Sequence, residues 1–88
     1  MPTVELPAAL RPHAKGQARV QVEAATVADA LEALCVLHPR LRVQLWQAPG
    51  QLRRTLGVFV AEEDVREALT QALGQRDVVV LITAMAVG

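Results

Sequence analysis

"DVVVLIT", residues 77–83, decides the fold of this 88-residue chain. Every position from Val78 to Ile82 is apolar, the pattern expected of a central strand packed on both faces rather than of a half-buried edge. A strand that comes last yet reads as central is expected to insert between the first strand and the third. Upstream, "TVEL" alternates, with Val4 and Leu6 on one face and Thr3 and Glu5 on the other, until Pro7 removes a backbone donor. Residues 7–17 hold two prolines and a glycine and read as a turn. In "ARVQVEA" Val20 and Val22 point inward and Arg19, Gln21 and Glu23 outward, which completes a first hairpin.

Thr26 opens the main helix. Its hydroxyl can cap the amides ahead of it, Asp29 stands in the capping-box position, and Pro39 ends the run. Val27, Ala30, Leu31, Leu34, Cys35 and His38 recur on one face, leaving the side with Glu32 to water. Residues 40–51 show no steady period, and Pro49-Gly50 marks a turn. "LRRTLGVFV" reads as the third strand, with Leu56, Val58 and Val60 on one face and Thr55, Gly57 and Phe59 on the other. In "EEDVREALTQALG", Asp64 and Glu67 form a second capping box and Val65, Leu69, Ala72 and Leu73 a short stripe, so the local signals predict a second helix ending at Gly74. One main helix against one sheet is an α+β arrangement.

Composition removes several function classes. With 52% apolar residues but one Trp, one Phe and no Tyr, the core is aliphatic and the aromatic platforms on which nucleic-acid modules stack bases are missing. Nine basic and nine acidic residues cancel, so no global field recruits nucleic acid or an anionic membrane. The charges are unevenly spread, +3 over residues 1–54 and −3 over residues 55–88, which suits either solvated faces or a partner groove reading opposite charges at its two ends. The single cysteine excludes an internal disulfide, and neither a signal peptide nor an apolar run of membrane-spanning length is recognisable, so a cytoplasmic domain is the default expectation.

Cys35 and His38 share a helix face, but no second ligand pair matches them and His13 is distant, so no metal site is expected. No acid-base pair, nucleophile triad or phosphate loop is present, and the chain is not expected to be an enzyme. Arg40, Arg42, Arg53 and Arg54 form either a basic patch or ordinary solvated side chains. Trp46 is either a flap over the core edge or an interface anchor, with Arg53 and Arg54 as neighbours at such an anchor. Phe59, with one alternate set of the last strand, would make an apolar sheet surface open to partner docking or to a homodimer.

These segments, in this order, resemble the MoaD/ThiS family of small ubiquitin-like sulfur carriers. "VELPAALR" resembles that family's first strand, "ATVADALEAL" its helix start and "HPRLR" its helix exit. "LRRTLGVFVAEEDVR" and "TQALGQRDVVVLI" resemble its later strands and the turns that lead into them. The resemblance implies a β-grasp fold over residues 1–83, with the last strand central and parallel to the first, and a C-terminal tail over residues 84–88. It also implies that the Gly88 carboxylate is adenylated with ATP by a ubiquitin-activating-like adenylyltransferase, thiocarboxylated from a sulfur donor, and used by a downstream sulfur-accepting synthase in a molybdopterin, thiamine, cysteine or other pathway. No cofactor would be stably bound.

Ala84, Met85, Ala86 and Val87 would enter the partner enzyme, with Phe59, Trp46, Arg53 and Arg54 docking it. Two departures stand out. Val87 occupies the place of the penultimate glycine, bringing two γ-methyl groups and a stiff χ1 into a narrow channel. Ala61-Glu62 replaces an Asn-Gly or Asp-Gly turn. The alternative implied by Val87 is a β-grasp interaction module that has lost carboxyl activation.

Overall fold

The computed structural model describes residues 1–83. Strand β1 (Thr3–Glu5) leads through a 3-10 turn at Arg11–Ala14 into β2 (Arg19–Gln21), followed by helix α1 (Val27–Leu37). A second 3-10 turn (Pro39–Leu41) and a single-turn helix α2 (Arg42–Leu45) lead into a small ribbon of β3 (Trp46–Ala48) and β4 (Gln51–Leu52). Then come β5 (Leu56–Val60), β6 (Glu63–Asp64) and β7 (Val78–Thr83). The main sheet runs β2-β1-β7-β5-β6, with β7 parallel to β1 and antiparallel to β5. The last strand is therefore central, between the first strand and the one ending in Phe59-Val60, as its apolar run predicts. This mixed sheet on one main helix is the expected β-grasp architecture.

The helix forms where its signals stand. Thr26 is extended, and its hydroxyl accepts the Asp29 amide at 3.1 Å. Val27, Ala30, Leu31, Leu34 and Cys35 are buried against Val4, Leu6, Val20, Val22, Leu56, Val58, Val60, Val79 and Leu81 of the sheet side. His38 caps the helix, 9% exposed, with Nε2 3.1 Å from Oε1 of Gln17. These alternating positions are those the sequence pattern assigns to the core.

Three expectations are corrected: the second helix, the extent of the third strand and the covering of β7. No second helix forms over residues 63–74. Glu63 and Asp64 pair with Val60 and Phe59, the Val65 amide donates to Val58 at 2.9 Å, and the Asp64 carboxylate accepts the Arg66 amide at 2.9 Å. Beyond that turn the Gln71 and Leu69 carbonyls accept the amides of Val27 and Ala28, two of the first-turn donors that α1 cannot satisfy internally. Capping α1 outweighs the formation of a short separate helix, which is marginal at this length.

The third strand is shorter than "LRRTLGVFV", because Leu52 pairs with Trp46 in the ribbon and regular pairing resumes only at Leu56. The segment without a period, residues 40–51, buries Leu41 and Leu45 completely through its short helical turns. The long first connection likewise sends Leu10 and Ala14 into the core. Finally, β7 is packed on one face only. Val79 and Leu81 are buried, while Val78 and Val80 are half-buried and Ile82 is 47% exposed.

Candidate functional site

The uncovered side of the sheet is built by register. Arg19 on β2, Glu5 on β1, Val80 on β7, Phe59 on β5 and Asp64 on β6 are successive Cα partners, so one row of side chains crosses all five strands. Its centre is apolar and its ends are charged, with Arg19 and Glu5 joined by an exposed ion pair at 3.3 Å. The neighbouring pair Gly57 and Ile82 extends the apolar centre along the strands, as does Val78 beside Thr3. Phe59 is only half-exposed because its ring leans over Gly57, its Cε1 3.0 Å from where a Cβ at that glycine would stand. The apolar run of β7 thus meets two different surroundings: core on one side, an open apolar face on the other.

The same register orders the charge. β5 starts beside the C-terminal end of β7, since Leu56 pairs with Thr83, and its other end reaches the Ala61–Asp64 turn. Arg53 and Arg54 therefore sit at the end of the sheet where β7 finishes. Glu62, Glu63 and Asp64 sit at the opposite end, so basic side chains precede β5 at one end and acidic ones follow it at the other. Arg53 is fastened, its Nε donating to the Val43 carbonyl at 2.7 Å. The Arg54 side chain is exposed, and its carbonyl accepts from Nη1 of Arg66 at 3.2 Å.

The expected docking residues are not all brought together. Phe59 lies on the bare face, with Arg53 and Arg54 beyond the edge of that face where β7 ends. Trp46 lies on the helix side, packed against the core, where it lines a cleft of about 370 Å³ with Glu32, Arg42, Val43, Ala48, Pro49 and Gly50. Arg42 closes one wall of the cleft through a two-pronged ion pair to Glu32, at 2.9 and 3.0 Å, which lowers the Glu32 carboxyl below its ordinary pKa and raises that of Arg42. Behind it, burial raises the Cys35 thiol above its ordinary pKa, and the Trp46 indole N–H is buried with no hydrogen-bond partner among the described residues. Cys35 and His38 do not converge on a site, and among the described residues no three His, Cys, Asp or Glu side chains cluster to hold a metal. Ala84, Met85, Ala86, Val87 and Gly88 lie outside the described residues.

A profile of the ThiS family matches residues 4–88. The chain belongs to the ThiS family. Within it, the sulfur carrier protein CysO of Mycobacterium tuberculosis is 32% identical over 90 residues, spanning 98% of this chain and 97% of the relative. Among solved structures, a chain of the Amycolatopsis orientalis BexX/CysO complex superposes with a TM-score of 0.88 at 29% identity, with 100% of both chains covered. SAMP1 from Haloferax volcanii gives 0.86 at 31% identity, over 99% of this chain and 98% of that one. The ThiS-family β-grasp frame accounts for the central β7 and its open face. The sequence pattern joins Phe59 and Gly57 to one alternate set of the last strand without choosing it, and the cross-strand register selects Val78, Val80 and Ile82 over Val79 and Leu81.

Proposed function

We propose that this chain is a sulfur carrier whose Gly88 carboxylate is activated and then loaded with sulfur by a separate ubiquitin-activating-like enzyme. One observation carries the reading. The strand leading to residues 84–88 is central, and its outer face, Val80 with Ile82 and Phe59, is the open apolar surface of the sheet. A partner covering that face is held in register with whatever follows Thr83, so docking and presentation of the carboxyl end are geometrically linked. Membership of the ThiS family and the likeness to CysO, itself a sulfur carrier, support the same role.

The chemistry resides in the partner. A Gly88 carboxylate oxygen attacks the α-phosphorus of ATP and pyrophosphate leaves. Sulfide, or a persulfide cleaved afterwards by a second thiol, then displaces AMP from the acyl carbon and leaves a thiocarboxylate. This chain acts as co-substrate and binds no cofactor stably. Its cytoplasmic setting and the acceptor, a synthase of cofactor or amino-acid biosynthesis, belong to the same proposal. Phe59 docks the activating enzyme and Arg53 and Arg54 face its channel entrance, while Ala84 to Val87 thread the channel. Trp46, on the other side of the domain, serves the acceptor.

The test is intact-mass analysis after incubation with the cognate activating enzyme, ATP and a sulfur donor. A sulfur-for-oxygen gain in the wild-type chain supports the carrier, and a faster gain in Val87→Gly measures what the γ-methyl groups cost. A gain in Val87→Gly alone would establish the other reading, an interaction module that has lost activation.

A further inference from the structure

At the far edge of the sheet from β5 and β6, strand β2 has a neighbour on one side only. The bonds Leu6 N–H to Ala18 and Val22 N–H to Pro2 fix the phase of its ladder with β1, so Val20 faces β1. The N–H and C=O groups of Arg19 and Gln21 consequently point away from the sheet. Among the described residues they take part in no other backbone hydrogen bond. Beside them runs a groove of about 560 Å³ lined by Lys15, Gln17, Val20, Leu37 and His38, between the free edge and the end of α1.

Leu37 is 54% exposed there, a large aliphatic side chain with no cover. The charge around it is one-signed at one end. Lys15 and Arg40 flank Leu37 and His38 and make no ion pair among the described residues, and Arg19 is held only by Glu5 on the outer face. The nearest further acid along the strand is Glu23, past the opposite end of β2.

We propose that this edge is a second interaction surface, which takes an extended acidic segment of a partner protein as a sixth strand beside β2. The free backbone groups supply the ladder, and alternate aliphatic side chains of the segment rest on Leu37. Acidic residues flanking the segment meet Lys15, Arg40 and Arg19, so the acidic end lies toward Arg19 and away from Glu23. The surface is distinct from the apolar centre of the bare face, because β1 lies between it and β7, and β1 and β7 lie between it and β5. A partner seated there leaves Phe59, Val80 and Ile82 free for another protein.

The experiment is an amide NMR titration of the full-length chain with a blocked nine-residue peptide of alternating valine and isoleucine carrying three aspartates at one end. A second peptide carries lysines instead. The proposal requires shift changes and slowed amide exchange at Arg19 and Gln21, with the aspartate peptide binding at least about tenfold tighter than the lysine peptide. Gln21→Pro removes an outward donor while sparing the bonds to β1 and should abolish binding. The pair Lys15→Glu and Arg40→Glu should weaken it by about tenfold, and decides the matter if the proline variant does not fold. Equal binding of both peptides, shifts centred on Phe59 and Val80, unchanged binding by a folded Gln21→Pro variant, or no shifts at all would overturn it.

Discussion

The Phe59 ring rests on Gly57, two residues away on the same strand, with Cε1 3.0 Å from the position a Cβ would take. A glycine in mid-strand has no side chain to pack and weakens the strand, and here the neighbouring aromatic ring fills that space. The ring is thereby held flat against the sheet beside Val80 and Ile82. Gly57→Ala should leave the fold intact, because the contact is with the far end of a side chain, but should tilt the ring outward. Changed ring proton shifts of Phe59 with a melting temperature within a few degrees of wild type are the expected result. A large loss of stability would show that the glycine serves the backbone instead.

Phe59 itself is half-buried without belonging to the core. Phe59→Ala is expected to cost about 1–2 kcal/mol of stability, less than a core truncation, while slowing sulfur loading by the activating enzyme much more than the stability change explains. Measuring loading rate and denaturation midpoint on the same variant separates the two effects.

The turn between β5 and β6 is strained. Ala61 and Glu62 are the two central residues of a two-residue hairpin and both have positive φ, 51° and 68°. Such turns favour Asn-Gly because a Cβ in the left-handed region costs roughly 1–2 kcal/mol per residue. Replacing Ala61→Asn and Glu62→Gly together should stabilise the domain by about 1 kcal/mol once the extra freedom of unfolded glycine is counted. Thermal denaturation should show a rise of about 4–8 °C, and no rise would mean that the turn's strain is relieved elsewhere.

Thr26 holds the start of α1 through the Asp29 amide, and the next two amides are held by Gln71 and Leu69. Thr26→Ala should cost about 1 kcal/mol in urea unfolding. Amide exchange should quicken first at Asp29, with Val27 and Ala28 staying protected by their own carbonyl partners. Loss of protection at all three would show that the cap organises the whole crossing.

Cys35 is buried, and desolvation raises its thiol pKa above the ordinary value, with Glu32 adding to the effect and Arg42 and Trp46 opposing it. The native thiol should therefore react with a disulfide reagent far more slowly than the unfolded chain at neutral pH. The linkage to stability has a definite sign. The group's contribution is fully present below the unfolded thiol pKa and declines above about pH 8.5, where the unfolded thiol ionises first. Denaturation midpoints should fall in that range for wild type and less for Cys35→Ala.

Much of this organisation is legible in the chain itself. The Thr26 cap, the α1 stripe from Val27 to Cys35, and the Leu56, Val58 and Val60 alternation are local patterns, and each lands where its period puts it. The unbroken apolar run of β7 points to its central place, although only one of its faces is buried. The failures share a cause. Residues 65–73 have helical spacing, but their carbonyls are claimed by amides of α1 that lie some forty residues earlier in sequence. Leu41 and Leu45 carry no repeating period because they belong to two abutting single turns.

By itself, then, the amino-acid order determined the core positions of α1 and of the alternating strands and pointed to the last strand as central, since burial free energy acts through period and cap. Tertiary structure alone decided that the second face of β7 stays open, and that Phe59 and Trp46 look away from each other. It also decided that Arg19 and Gln21 offer an unpaired edge. Each of these depends on which strand lies beside which, in what register, and on how far one helix and a short ribbon can cover a five-stranded sheet.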